Sequence, residues 1–283
     1  MKLSFSTLGC PDWTMPQIIA IASSAGYDGI ELRFVEGEDS LWKLPVFQGA
    51  ALASVKHTLA DHGVAISCLD TSCRFDSPDA ADRERWVNEG ERMSDLAAEL
   101  GAPGLRVFGD TIRPRANRES TRGWIADSLC RLAEIAAPKG VEVWLETHGD
   151  FAGARDTSEI LARVTPTNTG IVWDPINSFV ATQERPADGS ATLGGAIRHV
   201  HIKDIRRNEA RGDPESWEYV LTGEGDFPLQ ELLGTLKKRE YNGFLSFEWE
   251  KKWHPELAAA EIALPHFVEW FQKNSALGEQ NGA

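Results

Sequence analysis

The chain has 283 residues, of which 42% are hydrophobic and 25% are charged, and its formal net charge is −14. This apolar content excludes a disordered or collagen-like chain, and the negative charge disfavours nucleic acid and acidic membranes as partners. The N-terminus has no signal-peptide core, and no apolar run approaches the roughly 18 residues of a membrane span. Four cysteines without a CxxC pair predict free thiols in a reducing compartment, so we expect a cytoplasmic protein.

Strand-like and helix-like segments alternate along the whole chain. Short apolar runs predict eight strands, at residues 3–8, 29–34, 65–70, 104–108, 141–146, 170–174, 199–203 and 243–248. Amphipathic spacing predicts eight helices, at residues 16–25, 51–62, 83–100, 121–137, 157–164, 191–197, 229–240 and 258–274. The eightfold alternation predicts an α/β fold, a single-domain (β/α)8 TIM barrel, with an open doubly wound sheet as the alternative.

The limits of the domain follow from the same pattern. Residues 1–274 are assigned to the barrel, and residues 275–283, which are small and polar, are predicted to form a flexible C-terminal tail. The polar stretch 206–218, between the seventh and eighth strands, is interpreted as a long loop, either over the active-site end or simply solvated.

Polar residues follow or end four of the predicted strands. The motifs VWLETHGD, IVWDPIN, HVHIKD and FLSFEWE place Glu146, Asp174, His201 and Glu248 at these points. In a TIM barrel the carboxyl ends of the strands form one rim, which carries the active site. The four side chains are therefore predicted to converge on that rim.

Two glutamates, one aspartate and one histidine form an oxygen-rich donor set. Such a set suits Mn²⁺, Mg²⁺ or Co²⁺ better than ions that prefer thiolates. Three clustered carboxylates would repel one another without a cation. The alternative is that each residue forms an ordinary ion pair at its strand end.

The chain resembles the sugar phosphate isomerase/epimerase group of the xylose isomerase-like TIM-barrel superfamily over nearly its whole length. The motifs GIELR, WLETHGD, WDPIN, HVHIKD, GEGDFPLQELL and FLSFEWE carry the resemblance. It implies one divalent metal, usually Mn²⁺ with Mg²⁺, Co²⁺ or Zn²⁺ as alternatives, held by Glu146, Asp174, His201 and Glu248. Of the two histidines in HVHIKD, His201 matches the ligand and His199 is the lesser candidate.

The resemblance also implies an isomerase or epimerase that acts on a sugar or keto-sugar by proton abstraction through a metal-stabilised enediolate. Glu146 and Glu248 are then the catalytic pair. One alternative is a dehydratase or lyase that uses the same site on a keto-inositol or keto-sugar, and another is a non-catalytic sugar-binding or partner subunit. An apurinic endonuclease is disfavoured, because CLDTSC and VFGD offer no further histidine ligands after the third and fourth strands.

Five further residues are candidates for substrate binding, namely His148, Asn177, Lys203, Arg33 and Lys252. Epimerases of this group often carry a histidine three residues after the aspartate ligand, where this chain has Asn177. An asparagine there can donate a hydrogen bond but cannot titrate. The expected partner is a small-molecule sugar or keto-sugar, and the sequence leaves a homo-oligomer open.

Overall fold

Eight parallel strands close into a barrel in the computed structural model, which describes residues 1–208 and 216–275. In order round the barrel, the strands are β1 (Lys2–Ser6), β2 (Gly29–Leu32), β3 (Ala65–Arg74), β4 (Gly104–Phe108), β5 (Glu142–Glu146), β6 (Thr169–Trp173), β7 (Ile197–Ile202) and β10 (Phe244–Phe247). The strand β1 pairs with both β2 and β10, which closes the sheet. The predicted TIM barrel is confirmed, and the alternative of an open sheet is wrong.

Helices follow the strands and cover the outside of the barrel. They are α1 (Met15–Ala25), α2 (Gly49–Asp61), α3 (Ala80–Leu100), α4 (Arg118–Ala136), α5 (Ala154–Leu161), α6 (Pro175–Thr182), α7 (Pro186–Leu193), α8 (Leu229–Lys238) and α9 (Ala260–Ser275). The prediction of a helix at residues 191–197 is wrong. The helix there, α7, ends at Leu193, and the short 3-10 turn Gly194–Ala196, which holds two glycines, leads directly into β7.

Local capping signals explain where several helices begin and end. Thr14 and Gln17 form a capping box at the start of α1, and Gly26 ends that helix in the left-handed conformation, with φ of 87°. Asp174 caps α6, and Pro175 occupies its first turn. The helix α6, absent from the predicted set, therefore follows from the dipeptide Asp-Pro directly after a strand.

The main hydrophobic core lies between the barrel strands and the surrounding helices. Inside the barrel, Trp144 lies beside Arg106 of β4 and stacks on His199, with ring centroids 6.0 Å apart. Its indole occupies space that glycines on both neighbouring strands leave free. A Cβ atom on Gly104 would lie 2.4 Å from the indole, and one on Gly170 would lie 3.2 Å from it and 2.3 Å from Arg198 Cγ. Glycine at these two positions therefore leaves room for the large Trp144 side chain between the neighbouring strands.

A two-stranded hairpin follows the seventh barrel strand, where a loop was predicted at residues 206–218. Strands β8 (Asp204–Arg207) and β9 (Trp217–Val220) pair antiparallel, and residues 209–215 of the predicted loop lie outside the described residues. Both ends of the predicted loop are thus strand. The sequence pattern did not predict these two strands. Each of them has only four residues, so its apolar run is short, and the sheet that they form has only two strands.

The motif GEGD has a structural role at the base of this hairpin. The Asp204 carboxylate accepts hydrogen bonds from the backbone N–H groups of Gly223 and Gly225, at 2.8 and 3.0 Å. A Cβ atom on Gly225 would lie 2.2 Å from Asp204, so glycine is required there.

Within the described residues, no helix combines the length and apolar character of a membrane span.

Candidate active site

Four side chains converge at the carboxyl ends of the barrel strands, and we call them the carboxylate–histidine cluster. They are Glu146 at the end of β5, Asp174 after β6, His201 in β7 and Glu248 after β10, and their ligand atoms lie within 4.8 Å of one another. The Nδ1 atom of His201 lies 3.6 Å from Glu146 Oε1, 3.8 Å from Asp174 Oδ2 and 3.6 Å from Glu248 Oε2. The structure therefore brings together the four residues that the strand-end motifs singled out.

The cluster has the properties of a divalent cation site. Asp174 Oδ2 is buried with the Lys203 ammonium 2.8 Å away, and His201 Nδ1 is buried without a hydrogen-bond partner. Buried polar atoms are rarely left in this state, because each loses its bonds to water. One imidazole nitrogen and three carboxylate oxygens at these distances are a donor set that Mn²⁺, Mg²⁺ or Zn²⁺ accepts. The residues present thus fit a divalent ion.

Asp174 divides its two oxygens between two tasks. Its Oδ1 atom accepts hydrogen bonds from the backbone N–H groups of Ile176 and Asn177 at 2.9 and 2.8 Å, which caps α6. Its Oδ2 atom faces His201 and the Lys203 ammonium. The helix cap therefore fixes the carboxylate so that one oxygen points into the cluster.

Glu31, on β2, is a residue of the site that the sequence reasoning missed. It is fully buried, its Oε1 atom lies 3.1 Å from His201 Nε2, and its Oε2 atom contacts His199 Nε2. Burial alone would raise the pKa of Glu31, but the two histidines lower it well below the usual range. A proton on Nε2 facing Glu31 leaves Nδ1 of His201 free to act as a ligand. The signal was present in GIELR, where a glutamate interrupts a buried apolar strand.

His201 and Glu31 also take part in other groupings of metal-ligand type. One joins Glu31, His199 and His201, and another joins Glu31, Asp70, His201 and Glu248. Glu31 already contacts both histidines, so it is less available to an ion than the cluster oxygens. The carboxylate–histidine cluster is therefore the best candidate among these groupings.

Arg106, on β4, lies inside the barrel and neutralises two carboxylates. Its guanidinium lies 3.0 Å from Asp70 Oδ2 and 3.2 Å from Glu146 Oε2, and it stacks 3.9 Å from the centre of the Phe108 ring. Burial alone would raise the pKa of Glu146, but Arg106 and His201 lower it below the ordinary value. Glu146 is therefore ionised at neutral pH.

Lys203 places a buried ammonium beside the cluster. Its Nζ atom lies 2.8 Å from Asp174 Oδ2 and 2.8 Å from Glu250 Oε1, and it also donates to Glu248. Burial raises the pKa of Glu248 to about 7, although Lys203 and His201 act in the opposite direction. The two cluster glutamates thus differ, since Glu146 is held ionised and Glu248 titrates near neutrality.

A polar cavity of about 260 Å³ opens above the cluster. Four of the five candidate substrate-binding residues line it, namely Arg33, His148, Asn177 and Lys203. Burial lowers the pKa of Arg33 to about 10, and its Nη2 atom donates to Ser72 Oγ at 2.8 Å. Lys252, the fifth candidate, lines a different cavity and holds its ammonium 4.8 Å from the centre of the Phe34 ring. The structure does not bring Lys252 to the polar cavity.

His148 and Asn177 occupy one wall of this cavity. The Asn177 amide donates to Glu146 Oε1 at 3.4 Å and to the Thr147 carbonyl at 3.3 Å. The Nδ1 atom of His148 lies 3.0 Å from Asp110 Oδ1. Burial alone would lower the pKa of His148, but Asp110 and Glu146 raise it above the ordinary value. Asn177 therefore helps to orient Glu146, while His148 adds a proton donor to the cavity.

Comparison with known proteins places this barrel in a family. The family model for the xylose isomerase-like TIM barrel matches residues 19–270. The chain belongs to this family. An inosose isomerase of Halalkalibacterium halodurans is 26% identical over 241 residues, which are 83% of each chain. A putative L-ribulose-5-phosphate 3-epimerase of Escherichia coli is 27% identical over 252 residues, which are 85% of this chain and 86% of that one.

Solved structures of the xylose isomerase-like family share the fold of this chain. The IOLI protein with a bound zinc atom aligns with a TM-score of 0.81 at 19% identity, covering 98% of this chain and 99% of that one. The predicted class of enzyme is confirmed by the relatives found from sequence, which are named as isomerases, epimerases and dehydratases of sugars or inososes, and the dehydratase alternative is consistent with them too. A divalent metal occurs within the family.

Proposed function

We propose that this chain is a Mn²⁺-dependent isomerase or epimerase that acts on a sugar or keto-sugar. The observation that carries the proposal is the buried Nδ1 atom of His201, which has no hydrogen-bond partner and faces carboxylate oxygens from three other strands. Glu146, Asp174, His201 and Glu248 would hold the ion. Once bound, it supplies positive charge beside the substrate carbonyl and so makes the neighbouring C–H more acidic.

Glu146 and Glu248 are assigned the proton transfers. Glu146, which Arg106 keeps ionised, removes the hydrogen from the carbon next to the carbonyl, and the electron pair of that C–H bond moves towards the carbonyl oxygen. Glu248 then returns a proton. Delivery to the opposite face of the same carbon gives an epimer. Delivery to the former carbonyl carbon gives the isomer, with the proton of the neighbouring hydroxyl passing to the former carbonyl oxygen. If Glu248 instead gives its proton to a hydroxyl group on the next carbon, that group leaves as water, the carbonyl re-forms and the product is dehydrated.

The remaining polar residues of the cavity would hold the substrate. Arg33 and His148 offer donors to hydroxyl or carboxylate oxygens, and Asn177 offers its amide oxygen as an acceptor. Lys203 adds positive charge to this cavity while its ammonium holds the three carboxylates around it. Asn177 keeps its amide on Glu146, so this position orients the base without carrying a proton itself.

The test combines a measurement of metal content with a measurement of proton exchange. Mass spectrometry should find about one divalent ion per wild-type chain after loading with Mn²⁺, and none in the E146A/D174A double variant. In D₂O, NMR should show deuterium entering keto-sugars or inososes with the wild type, and at least a hundredfold slower with E248Q. The matched control is E142Q, because Glu142 lies at the other end of β5 and pairs with Arg198 and Trp144.

The outcomes separate the alternatives. A product lighter by one water would assign the dehydratase reaction to the same residues. A wild-type chain that takes up no ion, or E248Q exchange at the wild-type rate, would contradict the proposed mechanism.

A further inference from the structure

A second cavity, of about 410 Å³, adjoins the polar cavity of about 260 Å³. His148, Asn177, Tyr219 and His254 line both cavities, so a ligand bound at the carboxylate–histidine cluster can extend from one into the other. We call the second cavity the apolar annex. Apart from the shared residues, it is lined by Gly149, Ala152, Ile176, Val180, Ala181, Ile205 and Trp217, and by Glu218, whose carboxylate pairs with Arg206.

The chemistry of the annex differs from that of the polar cavity. Arginine, lysine and glutamate side chains surround the cluster, whereas small aliphatic side chains and one indole dominate the annex. Sugar hydroxyl groups placed against such a surface would lose hydrogen bonds to water without replacement. Val180 is 40% exposed and presents its side chain to this cavity. The annex therefore favours an apolar group of the ligand.

The sizes of the two cavities lead to the same conclusion. Pockets for ligands of drug size measure about 300–1,000 Å³. The polar cavity alone lies below that range, as is suitable for one small polyhydroxy ring, and the annex adds more than the polar cavity's own volume. A free monosaccharide would leave the annex filled only with water.

Trp217 is held in place to serve as a contact surface. Its ring meets the edge of Phe179 at a centroid distance of 5.7 Å, and β9 pairs it with Arg207 across the hairpin. At the junction of the cavities, Tyr219 and His254 pack with centroids 5.0 Å apart. Aromatic side chains fixed in this way bind planar apolar groups at little cost in conformational entropy.

We propose that the natural substrate is a glycoside, a keto-sugar that carries an aromatic or aliphatic aglycone, and that the annex binds the aglycone. The keto-sugar half of this assignment rests on the proposed function. The apolar half rests on the lining, the volume and the continuity of the annex with the polar cavity. Trp217 and the α6 residues Val180 and Ala181 are then determinants of specificity.

Binding of two glycosides to the Mn²⁺-loaded protein tests the annex without requiring turnover. Calorimetry should show that phenyl β-D-glucoside binds at least tenfold more tightly than methyl β-D-glucoside, because the phenyl ring leaves water for the annex. The A181W variant, at an exposed position of α6, fills the annex and should bind both glycosides equally. The matched control is A60W, at an exposed position of α2, which should keep the tenfold preference.

Equal binding of the two glycosides by the wild type would overturn the annex proposal, and so would a full preference in A181W. Deuterium exchange in D₂O, measured with D-fructose and with phenyl 3-keto-β-D-glucoside, then distinguishes this failure from failure of the proposed function. A phenyl preference without exchange of either sugar supports the annex and contradicts the proposed reaction. Exchange without a phenyl preference supports the reaction and contradicts the annex.

Discussion

Replacing Glu31 by glutamine tests whether that residue orients the cluster histidine. Glu31 contacts the Nε2 atoms of both His199 and His201 and is fully buried. An amide would present an NH₂ donor to one of these rings. The ring nitrogen there donates its own proton and therefore requires an acceptor. Removing the charged partner of a buried pair costs about 3–5 kcal/mol of stability. Losing an outer carboxylate behind a metal-binding histidine weakens metal affinity about 10–100-fold, or about 1.4–2.7 kcal/mol.

Two measurements on E31Q check these magnitudes. Urea unfolding of the metal-free protein gives the change in stability, and competition with a chelating dye gives the Mn²⁺ dissociation constant. The E142Q variant serves as the control, since it changes a strand glutamate at the opposite end of the barrel and should keep the metal affinity of the wild type.

The affinity of E31Q for Mn²⁺ decides whether Glu31 orients His201. Affinity within twofold of the wild type would refute the orienting role of Glu31. Complete loss of binding, equal to that of D174N, would instead make Glu31 a ligand and place the ion on the Nε2 side of His201.

Three further predictions concern packing and charge. G104A should lose about 1–3 kcal/mol in urea unfolding, since its methyl group would lie 2.4 Å from a buried indole, whereas G123A, in an open helical position, should gain about 0.5–1 kcal/mol. K203M leaves three buried carboxylates without their ammonium, so Mn²⁺ should raise its melting temperature more than that of the wild type. Burial alone would raise the pKa of Asp110, but His148 and other cations lower it. The ionised Asp110 therefore stabilises the folded protein at neutral pH, and this stabilisation disappears as the pH falls through the lowered pKa. D110N should therefore be less stable than the wild type by about 1–2 kcal/mol in urea unfolding at pH 7. A difference in unfolding free energy that does not shrink as the pH is lowered would contradict this.

The short-range pattern of the sequence was sufficient for the barrel and for most of its elements. Near-continuous apolar runs separated by amphipathic segments predict parallel strands covered by helices, and all eight barrel strands lie where such runs occur. The errors fall where local signals are weak or compete. The helix α6 is only eight residues long, and the glycines before Ile197 end α7 early. The hairpin of β8 and β9 has too few residues for a recognisable alternation.

By itself, the sequence determined the four strand-end residues of the cluster, because position along a barrel strand decides which side chains reach the rim. It could not determine contacts between residues far apart in the chain. Glu31 meets His201 across 170 positions, and only closure of the barrel brings β2 opposite β7. The same holds for the apolar annex, whose walls come from α6 and from the hairpin. Cavities and charge pairs of this kind depend on how elements pack, and the tertiary structure alone decides that packing.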